Sequence, residues 1–315
     1  MPAPVVLALD FGGSKVAVAA AGVDGVQLGT ATLAVRADDS AQRTFDRAVA
    51  ASYDLLADVA PRRPLTAVGA CTFGIPRSDG IDLAPNIVGW ERLAFGDRLR
   101  LAFPGAQIRM ATDVKAAAQA ELEHGALTGH DPGLYLNLGT GLAVALVVDG
   151  TVLTGRHGAA GEIGYNLRSV HDPISAPRLE EVVSGRALAT AAARILDDDG
   201  DVAALFTRAE RDPHAALVCT EFLNELAYHL VNLTIAVDPA RVVVGGGMVR
   251  SWDRIRPTLA AALEAAVPYP PELVLAAYPF DAPLLGALAL AVSAAHEVSD
   301  PHAVPAEVLS EGAPA

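Results

Sequence analysis

Short apolar runs alternate with glycine-rich turns at the start of the chain. Val5–Leu9 and Val16–Gly22 flank the sequence Asp-Phe-Gly-Gly-Ser-Lys, and glycines between two apolar runs are typical of a β-hairpin. Gln27–Val35 is a third predicted strand, and apolar residues at helical spacing predict a helix over Ala41–Val59. Further predicted elements in this part are the strands Val68–Phe73 and Ile108–Thr112 and the helix Val114–Leu122. The first part of the chain therefore mixes strands and helices.

The second part repeats this pattern. Leu134–Leu138 is a predicted strand, Gly139-Thr140-Gly141 a turn, and Leu142–Val148 a second strand. The later predicted elements are the hairpin turn Asp149-Gly150 with the strand Thr151–Leu153, the helix Ala215–Val237, the strand Arg241–Val244 before Gly245–Gly247, and the helix Ala282–Ala294. Two units of strand, glycine turn and strand predict two related halves, although their sequences are too divergent to identify a repeat.

Composition and charge exclude several classes of protein. The chain has 315 residues, 52% of them hydrophobic, which is enough for about two packed domains. Its formal net charge of −14 argues against a nucleic-acid partner, which needs a basic surface. Cys71 and Cys219 are too few for a disulfide framework and lie in no zinc-binding pattern. Without a signal-peptide pattern or a membrane-spanning run, the chain is expected to be cytoplasmic and to have no membrane partner.

The glycine turns are the first candidate chemistry. In Gly12-Gly13-Ser14-Lys15, exposed backbone N–H groups can hold phosphate oxygens, although a plain hairpin is the better explanation of this turn when it is considered alone. Both GxxxxGK[ST] and a GxGxxG after the first strand are absent. Two further glycine turns, at Gly139–Gly141 and Gly245–Gly247, follow apolar strands directly. Three such turns at strand ends are what a site for a nucleoside polyphosphate needs.

Six segments, taken in order, carry a resemblance to a known family. They are LALDFGGSK at the first turn, APNIVGW from Ala84, LNLGTGLAVALVVDG from Leu136, GAAGEIGY from Gly158, RLEEVVSGRAL from Arg178 and DPARVVVGGGMV from Asp238. The chain resembles the ROK family, whose enzymatic members are ATP-dependent sugar kinases, among them glucokinases, of the actin/hexokinase type. The resemblance implies an α/β, two-lobed actin-like ATPase fold of the duplicated, ribonuclease H-like kind.

The resemblance also implies roles for individual residues. Asp10 corresponds to the carboxylate that orients Mg²⁺ through water, and Asp113 to the catalytic base that takes the proton of the attacking hydroxyl. An alternative role for Asp113 is the N-cap of the helix from Val114. The residues that correspond to the ATP-binding turns are Gly12, Gly13, Ser14 and Lys15 in the first, Gly139, Thr140 and Gly141 in the second, and Gly245, Gly246 and Gly247 under the adenosine.

The expected substrate contacts are hydrogen-bond acceptors, because sugars and cyclitols present rings of hydroxyl donors. The resemblance places Asn86, Asp113, Glu162 and Glu180 against the substrate. A solvated loop carboxylate is the alternative for Glu162, and the adjacent Glu181 is the alternative for Glu180.

Three departures from the family bear on specificity and metal content. Tyr165 stands where the family's ExGH motif has a histidine that touches the sugar and binds zinc, and the cysteine-rich segment that should follow is missing. A structural zinc then lacks ligands, so no zinc is predicted. Thr112 replaces the family asparagine beside Asp113. Threonine offers one hydroxyl to the substrate where asparagine offers an amide. Together, Thr112 and Tyr165 argue against glucose and favour another hexose, an amino sugar or a carbocyclic sugar analogue.

We therefore expect an ATP- and Mg²⁺-dependent kinase for a sugar or sugar-like polyol, with both substrates between the lobes. The alternatives are a C7-cyclitol kinase and a non-catalytic sugar-binding sensor; a family repressor is disfavoured because only nine residues precede Asp10. The resemblance also implies a homodimer. The expected N-terminal lobe is 1–113, joined by a C-terminal helix over about 282–296, the C-terminal lobe is 114–281, and 299–315 is a frayed tail.

Overall fold

The chain divides into two compact units in the computed structural model. The residues that the structure describes are 2–36, 39–84, 89–168, 171, 175–197 and 200–299. Unit 1 comprises Met1–Ala120, Thr154–Ala159 and the chain from Asp281, and unit 2 comprises Glu121–Leu153 and Ala160–Phe280.

The strands of the described residues form one main sheet in each unit. In chain order they are β1 (Val5–Phe11), β2 (Lys15–Gly22), β3 (Gln27–Ala34), β4 (Leu65–Thr72), β5 (Ile75–Pro76), β6 (Ile81–Asp82), β7 (Gln107–Thr112), β8 (Gly133–Leu138), β9 (Leu142–Val148), β10 (Thr151–Val152), β11 (Arg241–Gly245) and β12 (Glu272–Leu275). The sheet of unit 1 has the order β3-β2-β1-β4-β7, and that of unit 2 the order β10-β9-β8-β11-β12.

The two sheets have the same strand order and the same strand directions. β1 pairs antiparallel with β2 and parallel with β4, and β8 pairs antiparallel with β9 and parallel with β11. The outer pairs also correspond, since β2–β3 and β9–β10 are antiparallel whereas β4–β7 and β11–β12 are parallel. The fold is therefore a duplicated α/β fold of the actin-like type, as the sequence resemblance implied.

Eight α-helices lie within the described residues. They are α1 (Ala41–Val59), α2 (Phe95–Ala102), α3 (Asp113–His124), α4 (Gly185–Leu196), α5 (Val202–Arg208), α6 (Pro213–Val237), α7 (Trp252–Ala266) and α8 (Ala282–Ser299). Helix α1 has the bounds that its apolar spacing predicted, and the Ser40 hydroxyl caps it by accepting a hydrogen bond from the Arg43 N–H. Helices α2, α4, α5 and α7 were not predicted. None of the described helices is both long and apolar enough to cross a membrane.

Helix α8 belongs to unit 1 and packs on β1, β4 and β7. The approach is close: a Cβ on Gly69 of β4 would lie 1.8 Å from the carbonyl oxygen of Ala287, and one on Gly286 would lie 1.7 Å from that of Ala116. Because α3 is held to α8 at Ala116, unit 1 extends to Ala120, seven residues beyond the predicted boundary at Asp113. On the opposite face of this sheet, Phe11 stacks on Phe45 at 5.9 Å between ring centroids.

We expect Gly69→Ala to destabilise unit 1 by about 3 kcal/mol, because the added methyl overlaps the backbone of α8 and forces the helix outward. Urea unfolding of the ligand-free protein measures the change. Gly13→Ala is the matched control, since a Cβ there meets nothing within 4 Å. Equal midpoints for the two variants would contradict the close packing of α8 on β4.

Candidate active site

The predicted site residues divide between the two units, and each set is described within its own unit. Asp10, the turn Gly12–Lys15, Thr112 and Asp113 belong to unit 1. The predicted residues of unit 2 are Gly139–Gly141, Glu162, Tyr165, Glu180 and Gly245–Gly247. Asn86 lies outside the described residues.

In unit 1, the parallel strands bring Asp10, Cys71 and Asp113 to one edge of the sheet. Asp10 on β1 pairs in register with Cys71 on β4, and Cys71 pairs with Ala111 on β7, two residues before Asp113. The carboxyl ends of parallel strands meet at one edge of a sheet, and open α/β sheets bind ligands at this edge. The strand pairing brings Asp10 and Asp113 to the same edge with one strand between them.

Asp10 is a partly buried carboxylate with an unusual proton affinity. Burial raises its pKa from 3.8 to about 6, and the nearby Asp281 carboxylate raises it as well. The Cys71 thiol opposes this shift by donating a hydrogen bond to Asp10 Oδ1 at 3.4 Å, as does the positive charge of Lys15. Burial also raises the pKa of Cys71 well above its usual value, so the thiol stays protonated and remains a donor. Sequence reasoning missed Cys71 and Asp281, because neither lies in a motif.

The first glycine turn is both a β-hairpin and a surface that offers backbone donors. It joins β1 to β2 through the pair Phe11 and Val16, and the Gly12 N–H donates to the Lys15 carbonyl at 3.0 Å. Gly13, Ser14 and Lys15 are exposed, and Lys15 Nζ lies 3.9 Å from Asp281 Oδ1. The two interpretations of this turn are therefore compatible.

Asp113 begins α3, and the residue before it caps the helix. The buried Thr112 hydroxyl accepts a hydrogen bond from the Lys115 N–H at 3.2 Å, which is the N-cap geometry. Asp113 Oδ1 accepts from the Val114 N–H at 2.8 Å. Asp113 is thus the first helical residue, and Thr112, not Asp113, is the N-cap of α3. A carboxylate in the first turn of a helix is stabilised in its ionised form by the helix dipole.

In unit 2, two glycine turns end neighbouring strands. Gly245 on β11 pairs with Asn137 on β8, so the turn Gly139–Gly141 after β8 and the turn Gly245–Gly247 after β11 leave the sheet side by side. The N–H of Gly185, the first residue of α4, donates to the Gly139 carbonyl at 2.9 Å and ties the first of these turns to that helix. Gly246 has φ +93° and approaches the Leu138 carbonyl so closely that a Cβ would lie 2.6 Å from it.

The acidic candidate residues of unit 2 lie at two short 3₁₀ turns, Ile163–Tyr165 and Leu179–Glu181. Glu162 precedes the first turn. Glu180 Oε2 accepts from the Leu142 N–H at 2.9 Å, so Glu180 faces the glycine turn between β8 and β9. Glu181 Oε2 instead accepts from the Arg178 N–H at 2.7 Å and caps its own turn. Of the two adjacent glutamates, Glu180 is the one directed toward the predicted phosphate turn.

Tyr165 lies beside these carboxylates and under an arginine. The Arg178 Cζ is 4.5 Å from the centroid of the Tyr165 ring, a cation–π geometry. Burial raises the pKa of the Tyr165 hydroxyl, the positive charge of Arg178 lowers it, and the carboxylates of Glu162 and Glu180 raise it. Sequence reasoning did not single out Arg178, although it opens the segment RLEEVVSGRAL.

Trp90, in the segment APNIVGW, belongs to the core of unit 1. It is 1% exposed, and its Nε1–H donates to the Thr72 hydroxyl at 3.0 Å. Phe73 stacks on it at 5.3 Å between ring centroids. Its ring therefore packs among protein side chains.

Known proteins match the chain along nearly its whole length. The model of the ROK family matches residues 6–294. An N-acetylmannosamine kinase from Shigella boydii is 32% identical over 297 residues, which are 90% of this chain and 97% of the relative.

Two crystal structures of ROK kinases share the fold. The ROK hexokinase from Thermus thermophilus is 28% identical with a TM-score of 0.75, covering 94% of this chain and 99% of that one. The ROK family glucokinase from Streptomyces griseus, solved with glucose and AMPPNP, is 27% identical with a TM-score of 0.72, covering 92% and 99%.

Two sheets of actin-like order, glycine turns at strand ends and carboxylates at a carboxyl edge define a phosphotransferase of the actin/hexokinase type. The chain belongs to the ROK family. It is an ATP-dependent carbohydrate kinase.

We expect Asp10→Asn to raise the melting temperature of the ligand-free protein by roughly 2 to 6 °C near pH 8, because the folded state no longer buries an ionised carboxylate. The folded pKa of about 6 exceeds the ordinary 3.8, so Asp10 favours folding at low pH and loses that contribution as pH rises between these values. The difference in melting temperature between the variant and the native protein should therefore widen as the pH rises from 3.8 to about 6, and it should stay constant above that pH.

Thermal melts from about pH 4.5 to about pH 8 test this dependence. Asp97→Asn, which removes a surface carboxylate paired with Arg100, is the control and should show no such trend. A difference in melting temperature that does not change with pH would contradict the raised pKa of Asp10.

Proposed function

We propose that the protein transfers the γ-phosphoryl group of ATP to a hydroxyl of a hexose or N-acylated hexosamine, with Asp113 as the general base. The observation that carries this proposal is the placement of Asp113 at the head of α3, directly after β7, at the same carboxyl edge of the unit 1 sheet as Asp10. The N-acetylmannosamine kinase from Shigella boydii supports an N-acyl amino sugar as the first substrate to test.

Proton transfer is the chemistry assigned to Asp113. A sugar hydroxyl loses its proton as it attacks the γ-phosphorus, and an ionised carboxylate within hydrogen-bond reach accepts it. The carboxylate lies in the first turn of α3, where the helix dipole favours a negative charge. Thr112 keeps its hydroxyl hydrogen while its oxygen accepts from Lys115, so it can donate to a ring oxygen atom of the substrate.

Backbone N–H groups of the glycine turns, together with Lys15, are assigned to the phosphates of ATP. Such donors bind anions without net positive charge, which suits a chain of net charge −14. In unit 2 the proposed nucleotide contacts are Gly139, Thr140 and Gly141 for phosphate and Gly245, Gly246 and Gly247 for the adenosine. Glu162, Tyr165 and Glu180 are assigned to sugar hydroxyls, as is Asn86 by the family motif alone.

Mg²⁺ fits the residues around Asp10. Carboxylate oxygens are its preferred protein ligands, and it keeps several of its waters. Asp10 is partly buried, has a raised pKa and has Asp281 nearby, so its ionised form is costly and a bound cation offsets that cost. When bound, the cation neutralises charge on the phosphates. Asp10 would hold it through water, with Asp281 at the edge of the same cluster.

Two alternatives remain as outcomes of the substrate test. A C7-cyclitol kinase is favoured by the exchange of asparagine for Thr112 and of histidine for Tyr165, both of which alter hydrogen bonding to ring hydroxyls. A non-catalytic sensor would bind a sugar without turnover. We further propose a cytoplasmic location and no nucleic-acid partner, which the acidic composition and the absence of a cysteine framework in the sequence support.

We expect Asp113→Asn to lower kcat by about 10² to 10⁴ because the amide cannot accept the proton. ADP release is measured across N-acetylmannosamine, other amino sugars, hexoses and cyclitols. The KM for ATP should stay within about twofold, since Asp113 is not assigned to the nucleotide. Asp97→Asn is the control and should keep native rates.

A native kcat in Asp113→Asn would overturn the assignment of the base. Stimulation by cyclitols alone would identify the first alternative. Binding of a sugar by calorimetry without ADP release by the native protein would identify the sensor.

A homodimer is also proposed, and the exposed face of α6 supports it. Leu217, Tyr228 and Ile235 are 54%, 64% and 49% exposed, and their spacing places them on one face of the helix. Burial of this face by a second copy removes apolar area from water. Sedimentation velocity of native protein should give twice the chain mass, and Tyr228→Glu should shift it toward the monomer. A native monomer at micromolar concentration would contradict the proposal.

A further inference from the structure

The segment that follows Glu162 does not suit the structural zinc that the family implies. A structural zinc is held by four ligands, almost always cysteine and histidine. The chain has cysteine only at positions 71 and 219, so the interval from Tyr165 to Glu180 contains none. Tyr165 occupies the position of the family's zinc-binding histidine. The interval also contains His171, so the donors in it are one imidazole, a phenol and carboxylates, without a thiolate. Among the described residues, no three His, Cys, Asp or Glu side chains lie close enough together to hold a metal ion.

A positively charged side chain, that of Arg178, lies over the Tyr165 ring. The guanidinium of Arg178 lies 4.5 Å from the centroid of the Tyr165 ring, where the face of the aromatic ring attracts positive charge. A planar guanidinium can stack on an aromatic ring in a way that a lysine ammonium does not. A divalent cation bound at Tyr165 would be repelled by this arginine.

Arg178 connects the two short turns that carry the proposed sugar contacts. Its side chain packs on Tyr165, the last residue of the turn Ile163–Tyr165. Its backbone N–H is fixed by Glu181, which caps the turn Leu179–Glu181. Glu180 in that second turn accepts from the Leu142 N–H. One residue thus links the segment after Glu162, the glutamate pair and the glycine turn after β8.

We propose that Arg178 is a positioning residue that replaces the family's zinc: its stack on Tyr165 fixes the turns that direct Tyr165 and Glu180 toward the sugar. This inference rests on the proposed function for its kinetic consequence. Its structural content, a metal-free connection from Tyr165 through Arg178 to Leu142, does not depend on which sugar is the substrate.

A double-mutant cycle tests whether Arg178 acts through the ring. Arg178→Gln should raise the KM for the sugar about two- to fivefold and leave the KM for ATP nearly unchanged, because a solvent-exposed cation–π pair contributes about that much. Arg178→Lys should recover part of the loss. In the Tyr165→Leu background, Arg178→Gln should cost little more, since the stacking partner is already gone. Additive effects of the two substitutions would overturn the proposal.

Amide hydrogen exchange at Leu142 gives a measurement that requires no activity. Arg178→Gln should speed exchange at Leu142 because Glu180 is no longer held against its N–H. Arg254→Gln, which removes a surface arginine paired with Glu210, is the matched control and should leave that exchange unchanged. An unchanged rate of amide exchange at Leu142 in Arg178→Gln would overturn the proposed link from Arg178 to Leu142, even if no sugar were phosphorylated.

Metal analysis completes the test. The purified native protein should contain no stoichiometric zinc, and 1,10-phenanthroline in excess Mg²⁺ should not change the KM for the sugar. One zinc per chain, or loss of sugar affinity on chelation, would overturn the proposal. Failure of every sugar to stimulate ADP release would instead count against the proposed function, with the exchange measurement still deciding the role of Arg178.

Discussion

The parallel pairing of β1, β4 and β7 is the constraint on which the chemistry of unit 1 depends. Register places Asp10 beside Cys71 and Cys71 beside the residue two positions before Asp113. A shift of one residue in either pairing would turn Asp10 or the end of β7 to the other face of the sheet. The close packing of α8 on Gly69 of β4 stabilises this strand pairing. Asp113, the proposed base, and Asp10 therefore owe their common edge to the backbone pairing of these strands.

The two glycine turns of unit 2 end neighbouring strands, and backbone N–H groups in such turns are the means we propose for anion binding by this acidic chain. Glu180, beside the first of these turns, is held in place because it accepts a hydrogen bond from the Leu142 N–H. The single arginine over Tyr165 supplies positive charge on the side assigned to the sugar.

Sequence reasoning succeeded where the pattern was local. The helix Ala41–Val59 follows from its apolar spacing and its serine cap, and the strands that flank each glycine turn follow from apolar runs. Helix α7, which contains Pro257, and the short α2 and α5 lack a pattern that stands out from their surroundings. Family motifs supplied Asp10 and Asp113.

Residues whose roles depend on three-dimensional contacts were not predictable. Cys71 becomes a donor to Asp10 only through strand pairing, and Asp281 reaches the same cluster from the far end of the chain. The choice between Glu180 and Glu181 depends on which one caps the turn. Arg178 was missed because a cation–π contact across 13 residues has no sequence signature.

A crystal structure with Mg²⁺, a non-hydrolysable ATP analogue and the sugar that the enzyme phosphorylates tests the central claim most directly. A carboxylate oxygen of Asp113 should lie about 2.6–3.2 Å from the sugar hydroxyl that faces the γ-phosphorus. An Asp113 side chain turned away from the sugar, with another group within hydrogen-bond distance of that hydroxyl, would contradict the account.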